Sequence, residues 1–467
     1  MSQRDVRRLV ALLESRYRKK TPRSLAVHRR AVKVMVRGGS HSLRLYSPYP
    51  FQIRSARGAW VTDVDGNSYL DYWQGHYANI LGHNPAVVRS ALKNVEAEGR
   101  LHTGFESESQ IELAELIIRQ LGDGELRVRF TTSGTLATTY AVMLALAYTG
   151  RDLVLKIGSG WHGASPYLLK GIHYDPRQGF NCAESAGLPP EVVRRTLVTP
   201  FNDGQALEKL LERKGKSIAC FILEPFLGLG GFLPASREYL ELARRLTERY
   251  GIVLIFDEII SGFRFCPSGL QALYKVRPDL STFGKLIGGG HAMAAVVGRR
   301  HIMEYCETKS KGRLRVLFEG GTFSSHAEYT RSGVAMLRTL IANAARIYPR
   351  LAALGESLRR GIEAVFRKEG VEAACTGYVH DILGGSSMFM VHFPRRAWPV
   401  LSPEILADPA YVDLPLREDV LKLALLVEGV HVVHGGGAVS TAHTQNQIRH
   451  TLQAYAQAAR LFTKYLF

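Results

Sequence analysis

GIVLIFDEIISGFR occupies residues 251–264. Its first six residues are apolar and admit no charge, which is the pattern of a strand buried on both faces of a parallel sheet. Asp257 and Glu258 then arrive side by side. An ionised carboxylate at the end of a core strand is costly unless a cation or several donors meet it. This strand end therefore has to hold something that wants negative charge.

Other short apolar runs lie on either side: RVRF (127–130), LVLKI (153–157), SIACFILE (217–224) and AAVVG (294–298). Helical patterns over 136–150 and 236–251 separate several of them. Strands alternating with helices predict an α/β fold with a mostly parallel, doubly wound sheet. Farther out, GAWVTDVDGNSYLDYW (58–73) carries Asp65-Gly66 between apolar runs, a hairpin signal. A long helical pattern covers 327–367, a strand is expected in SMFMVHF (387–393), and a last helix starts at Thr444 with Gln447 completing a capping box. The expected organisation is an N-terminal segment (1–84), a large domain (85–325) and a C-terminal segment (326–467). The two end segments together form a smaller α+β domain.

The chain has 467 residues, 46% hydrophobic and 22% charged, which is the composition of a folded globular protein. No apolar run approaches the roughly 18 residues of a membrane span. Five scattered cysteines without a CxxC pair argue against a disulfide scaffold or a metal site, and point to the reducing cytoplasm. The net charge of +18 is uneven: residues 1–37 carry twelve Lys or Arg against Asp5 and Glu14. That stretch reads as a basic helix of the folded protein, with a transit peptide or nucleic-acid tail as alternatives. No basic stretch interleaved with aromatics supports nucleic-acid binding. The remaining excess favours acidic substrates or an acidic carrier protein.

Ligands of open α/β sheets sit at the carboxyl ends of the strands, and four features of the sequence fall there. TTSGT (131–135) puts Ser133, Gly134 and Thr135 at a helix N-terminus, where free N–H groups attract a phosphate; an ordinary N-cap is the alternative. Trp161-His162-Gly163 offers an aromatic platform, or plain packing. Asp257 is the third feature. In STFGKLIGGG (281–290), Lys285 lies in an apolar run, where burial turns an ammonium into a nucleophilic amine able to form a Schiff base; a snorkelling surface lysine is the alternative. Together the four fit pyridoxal 5′-phosphate. They supply a phosphate cup, a ring platform, a lysine for the aldehyde and an acid for the ring nitrogen. No metal is called for.

WVTDVDGNSYLDY (60–72), LGHNP (81–85), FTTSGTLA (130–137), WHG (161–163), FDEIISGFR (256–264), TFGKLIGGG (282–290), GGTFSS (320–325) and STAHT (440–444) carry a resemblance. The chain resembles the class III aminotransferases of PLP fold type I, in the branch of glutamate-1-semialdehyde aminomutase and β-amino-acid aminotransferases. The resemblance implies that Lys285 is the Schiff-base lysine and proton shuttle, and that Asp257 pairs with the pyridine nitrogen. It places Gly134 and Thr135 at the phosphate, with Trp161 and Ile259 on the two ring faces. It implies a homodimer in which Thr322 reaches the phosphate bound by the partner subunit. Arg44 is the nearest candidate for a substrate-carboxylate arginine, Glu224 lies near the active site, and Glu258 and Arg264 read as scaffold. The implied reaction moves an amino group from a small amino compound to a carbonyl acceptor; alternatives are intramolecular transfer, racemisation, decarboxylation, or action on a substrate held by a carrier protein.

Three departures stand out. Leu136 replaces the family's glutamate in SGTEA, and His326 alters the run after GTFS. Gly435, Gly436 and Gly437 stand where the aminomutases carry a glutamate. The missing glutamate argues against a true aminomutase. The three glycines are expected to leave room for a bulky substrate, or to lower its need for a second anionic contact.

Overall fold

The computed structural model describes residues 3–99, 102–122, 124–307, 315–378 and 385–466. Near the N-terminus, β1 (Ile53–Arg57), β2 (Trp60–Asp63) and β3 (Ser68–Asp71) form an antiparallel meander, and the Asp65-Gly66 hairpin pairs Thr62 with Ser68. The large sheet takes β4 (Leu126–Thr131), β5 (Leu153–Ile157), β6 (Thr196–Thr199) and β7 (Ile218–Leu223). A small ribbon of β8 (Phe226–Leu227) and β9 (Leu233–Pro234) interrupts it. It then adds β10 (Val253–Glu258), β11 (Leu280–Phe283) and β12 (Ala294–Arg299). Its strand order is β4-β12-β11-β10-β7-β5-β6. Only β12 runs antiparallel to its neighbours, so the sheet is mostly parallel, as expected.

Two of these strands escape a reading by apolar runs. β6 is TLVT and β11 is LSTF, each four residues with hydroxyl side chains. Thr196 and Thr199, at the ends of β6, and Thr282 are buried nonetheless. Helices cover both faces and carry their own boundary signals. The helix Gly134–Thr149 is capped by Ser133, whose Oγ accepts from Leu136 N, and ends at Gly150 with φ +66°. The helix Arg237–Tyr250 runs from Ser236 to Gly251, again left-handed, and the chain turns directly into β10.

The two ends of the chain meet in a smaller sheet. β15 (Val430–His431) adds in parallel to β3, so one small sheet takes strands from both ends of the chain. Another is built from β13 (Ala374–Thr376), β14 (Met388–His392) and β16 (Gly436–Ala438). The basic N-terminal helix Gln3–Lys20 is part of the fold. Leu9, Leu13 and Tyr17 are buried, and Lys20 Nζ donates to Val427 O at 2.5 Å. The helical pattern over 327–367 is two helices, Ala327–Ala342 and Ala344–Lys368, divided at Asn343. The last helix begins at Thr444 with the expected capping box.

The glycine expectation is corrected. A Cβ on Gly436 would stand 2.1 Å from Phe389 O, and one on Gly437 2.4 Å from Tyr72 O. On Gly435 it would meet Arg417 Cγ at 2.5 Å. These residues let backbones approach each other; they open no room for a ligand.

Candidate active site

At the end of β10 the two carboxylates separate, because successive side chains of a strand face opposite sides of the sheet. Glu258 is fully buried and is met entirely by neutral donors: Leu270 N (2.6 Å), Gln271 N (3.3 Å), Gln271 Nε2 (3.1 Å) and Ser261 Oγ (3.0 Å). Asp257 lies opposite Thr282 of β11. Its Oδ2 accepts from His162 Nδ1 at 2.7 Å, and its Oδ1 from Thr282 Oγ1 at 3.0 Å and Ile259 N at 3.1 Å. His162 is buried, and burial lowers its pKa against the pull of Asp257. Its Nε2 is buried without a hydrogen-bond partner.

Lys285 follows β11 by two residues and takes φ +45°, a strained value for a side-chain-bearing residue. Burial pushes its ammonium down to about 8, opposed by Asp257 and Glu224 and reinforced by Arg264. Ile259 links the two sides of the site. A Cβ on Gly134 would stand 3.3 Å from Ile259 Cδ1, and one on Gly284 2.9 Å from the same atom. Ile259 thus lies between the start of the helix Gly134–Thr149 and the turn that carries Lys285. In the first turn of that helix, the N–H groups of Gly134 and Thr135 have no intrahelical acceptor. Thr135 Oγ1 accepts from Ala164 N at 3.2 Å. Gly163, at φ +81°, is obligatory here, since a Cβ would come within 2.3 Å of Thr135 Oγ1.

Trp161 is 43% exposed, and its N–H donates to Glu224 Oε1 at 2.9 Å. The other oxygen of Glu224 accepts from Gly228 N at 3.0 Å, so this carboxyl ties two loops together. Burial, with Asp257 nearby, pushes Glu224 up to about 8. Ser133, Gly134, Thr135, Trp161, His162, Glu224, Asp257, Ile259 and Lys285 therefore lie around the ends of β4, β5, β7, β10 and β11. Arg44 stands apart on the exposed turn Ser42–Arg44, lining a mainly apolar hollow with Trp73 and Gly75. Its charge reaches His76, which in turn feels Lys285. Thr322 is exposed on a loop that packs against the end of β4, where Thr132 N donates to Gly320 O.

One element has no counterpart in the sequence reading. Gln74, Gly75, His76 and Tyr77 all have positive φ, a complete left-handed turn. Such a conformation costs roughly 1–2 kcal/mol for each residue with a Cβ. Asp71 holds it from below, accepting from Trp73 N (3.0 Å) and Gln74 N (2.9 Å) while His83 and His431 flank its carboxylate at 2.8 Å each. Arg264 donates to Tyr77 O and closes the turn. His76 packs against Trp73, with ring centroids 4.1 Å apart and planes tilted by 48°, and its Nε2 is buried without a hydrogen-bond partner. Burial and the surrounding cations push His76 down to about 4. The only hint in the sequence is Gly75-His76 between YLDYW and ILGHNP, where neither strand nor helix periodicity continues.

Residues 43–374 match the family model described as Aminotransferase class-III. The chain belongs to the class III aminotransferases. It is 38% identical over 373 residues to the glutamate-1-semialdehyde 2,1-aminomutase of Methanothermobacter thermautotrophicus, covering 79% of this chain and 84% of that one. Among solved structures, an omega-transaminase from Sphaerobacter thermophilus superposes with a TM-score of 0.84 at 31% identity, covering 94% of this chain and 98% of the other. A beta-phenylalanine aminotransferase from Variovorax paradoxus gives 0.82 at 28% identity, covering 97% and 96%. The fold is that of the type I PLP transaminases, and this class III enzyme is a PLP-dependent amino-group transferase. No described helix is long and apolar enough to cross a membrane.

Proposed function

We propose that this enzyme transfers an amino group between an amino acid, β-amino acids included, and a separate carbonyl acceptor, with Lys285 and Asp257 as its central pair. The observation that carries the reading is their convergence. Asp257 and Lys285 leave neighbouring parallel strands at the same edge, and the carboxylate acts on the charge of the lysine.

The residues present fit pyridoxal 5′-phosphate. Gly134 and Thr135 offer N–H groups to a phosphate at the positive end of a sixteen-residue helix. Trp161 is 43% exposed and Ile259 lies beside Gly134 and Gly284; in this reading the two side chains take the two faces of the cofactor ring. Bound there, the cofactor supplies an aldehyde for the amino group and a ring that withdraws electrons from the substrate carbon. Asp257, fixed by His162, Thr282 and Ile259 N, would offer its carboxylate to the ring nitrogen. Lys285 Nζ, whose pKa burial lowers to about 8, would take the proton from the carbon that bears the amino group and return it. Glu224 positions the platform, because its carboxyl holds the Trp161 backbone.

In this reading Thr322 reaches the phosphate site of the partner subunit in a homodimer. Its exposure suits that role, as does the exposed Phe323 beside it. Five free thiols suit the cytoplasm. Intramolecular transfer is the second reading, favoured by the identity to the archaeal aminomutase. One assay tests both. A β-amino acid donor and a 2-oxo acid acceptor are mixed with enzyme, and amino-acid formation from the acceptor is followed. Product that requires both partners and disappears in Lys285→Ala supports intermolecular transfer. Conversion of glutamate-1-semialdehyde with no acceptor, and none with the pair, overturns it.

A further inference from the structure

Between the large sheet and the C-terminal unit lies a cleft of about 360 Å³, within the size range of small-molecule sites. It is joined to the active site through Glu224. That carboxyl binds Trp161 N on one side and Gly228 N on the other, and Leu229 and Gly230 next along the chain form a wall of the cleft. Most of the lining is apolar, with Ile172, Met390, Leu406 and Leu414 among it. One end is polar and is built from Arg417, Glu418 and His434.

This polar end is organised as a relay. Arg417 Nε donates to Glu418 Oε1 at 2.8 Å, and His434 Nδ1 donates to Glu418 Oε2 at 2.8 Å. Arg417 Nη1 donates to His392 Nδ1 at 2.9 Å, so His392 Nε2 carries its proton toward Thr376 Oγ1, 2.9 Å away. Glu418 is therefore fully engaged, whereas His434 Nε2 is buried with no partner. Arg417 and Glu418 lie in a π-helical turn, Leu416–Leu421, a rare element found often at functional sites. His434 itself takes φ +55°. The fixed charges at this end are the Arg417 guanidinium and the Glu418 carboxylate, whose pKa the His434 hydrogen bond and Arg417 hold below the usual range against burial.

We propose that this cleft receives the side chain of the amino compound, and that the side chain has an apolar, ring-sized body tipped by a carboxylate held at Arg417 and His434. The apolar walls bury the ring; the anion at its far end meets Arg417 through Nη2, which bonds neither Glu418 nor His392, and His434 Nε2 as an imidazolium whose other proton Glu418 accepts. This rests on the amino-transfer reading above and adds to it the substrate class.

The test uses the holoenzyme and three donors: 3-aminobutanoate, 3-amino-3-phenylpropanoate and 3-amino-3-(4-carboxyphenyl)propanoate. The wild type is expected to favour the carboxyphenyl donor over the phenyl donor by about tenfold or more in kcat/KM, the scale of one satisfied polar contact. Arg417→Met should erase that ratio. Leu406→Trp should cut both aromatic donors at least about tenfold more than 3-aminobutanoate, by filling the space for the ring. Melting temperatures check that both variants fold. No preference in the wild type, or equal losses on all three donors in both variants, overturns the proposal. If no donor reacts, the amino-transfer reading fails instead. Calorimetric titration of the carboxyphenyl compound into wild type and Arg417→Met then decides the cleft alone, and equal affinities overturn it.

Discussion

Asp257 and Glu258 show how little a charge means apart from its neighbours. Adjacent in sequence and both buried, they differ in partners: Asp257 accepts from His162, Thr282 and Ile259 N, and Glu258 from four neutral donors. Asp257→Asn is expected to cut kcat by about 10²–10³, the scale of one lost preorganised electrostatic contact, with the fold unchanged; steady-state kinetics beside a denaturation curve checks both halves. Glu258→Gln should do the reverse, lowering stability by roughly 1–3 kcal/mol through a mismatched buried hydrogen bond while cofactor affinity stays within about twofold. Lys285 adds a pH signature. Its ammonium is held down to about 8, so the free amine grows as pH rises toward that value and saturates above it. The labelling rate of Lys285 in the apoenzyme by an aldehyde with borohydride should rise about tenfold per unit at lower pH and level off near 8. The sequence made these two residues legible because an acid ending an apolar strand and a lysine inside an apolar run are both anomalies. Glu224 was harder to place, since nothing local announces a carboxyl that ties two distant loops together.

At the scale of elements, regular pieces with boundary signals were readable and irregular ones were not. Ser133, Ser236 and Thr444 announce their helices, and Asp65-Gly66 announces its hairpin. β6 and β11 give no such notice, because their threonines and serines are buried only by the strands beside them. The left-handed turn Gln74–Tyr77 is set by local hydrogen bonds to Asp71 and by the tertiary contact with Arg264. Asp71→Asn should therefore lower stability by about 1–3 kcal/mol at neutral pH, because an amide cannot accept all the bonds that Trp73 N, Gln74 N, His83 and His431 donate to the carboxylate. The His83 and His431 hydrogen bonds hold the Asp71 carboxyl well below the usual carboxylate range. Its contribution is present above the unfolded carboxylate pKa and is lost as pH falls through the lower folded value. Acid unfolding of wild type and variant should converge on that limb. Gly436 offers a second test of an element. Even Gly436→Ala should cost about 1–3 kcal/mol in denaturant titration, by forcing β16 away from β14.

At the scale of the molecule, alternating strand and helix patterns were enough to read a mostly parallel sheet and to put the candidate site at one edge of it. They did not disclose that β3 and β15, from opposite ends of the chain, share a sheet, since that pairing spans about 360 residues and leaves no local mark. The same closure brings Asp71 to His431 and puts the C-terminal relay beside the cleft. Assembly belongs to this scale as well. Sedimentation should show a dimer, and Thr322→Val should weaken phosphate-dependent cofactor binding without dissociating it. The central claim is that, of all the chain's lysines, Lys285 carries the cofactor, and one measurement tests it directly. Holoenzyme is reduced with borohydride, digested and mapped by mass spectrometry. A pyridoxyl-phosphate increment on the peptide containing Lys285, absent in Lys285→Ala, is the predicted result. An increment on another lysine, such as the buried Lys156, or no increment at all, would contradict the account.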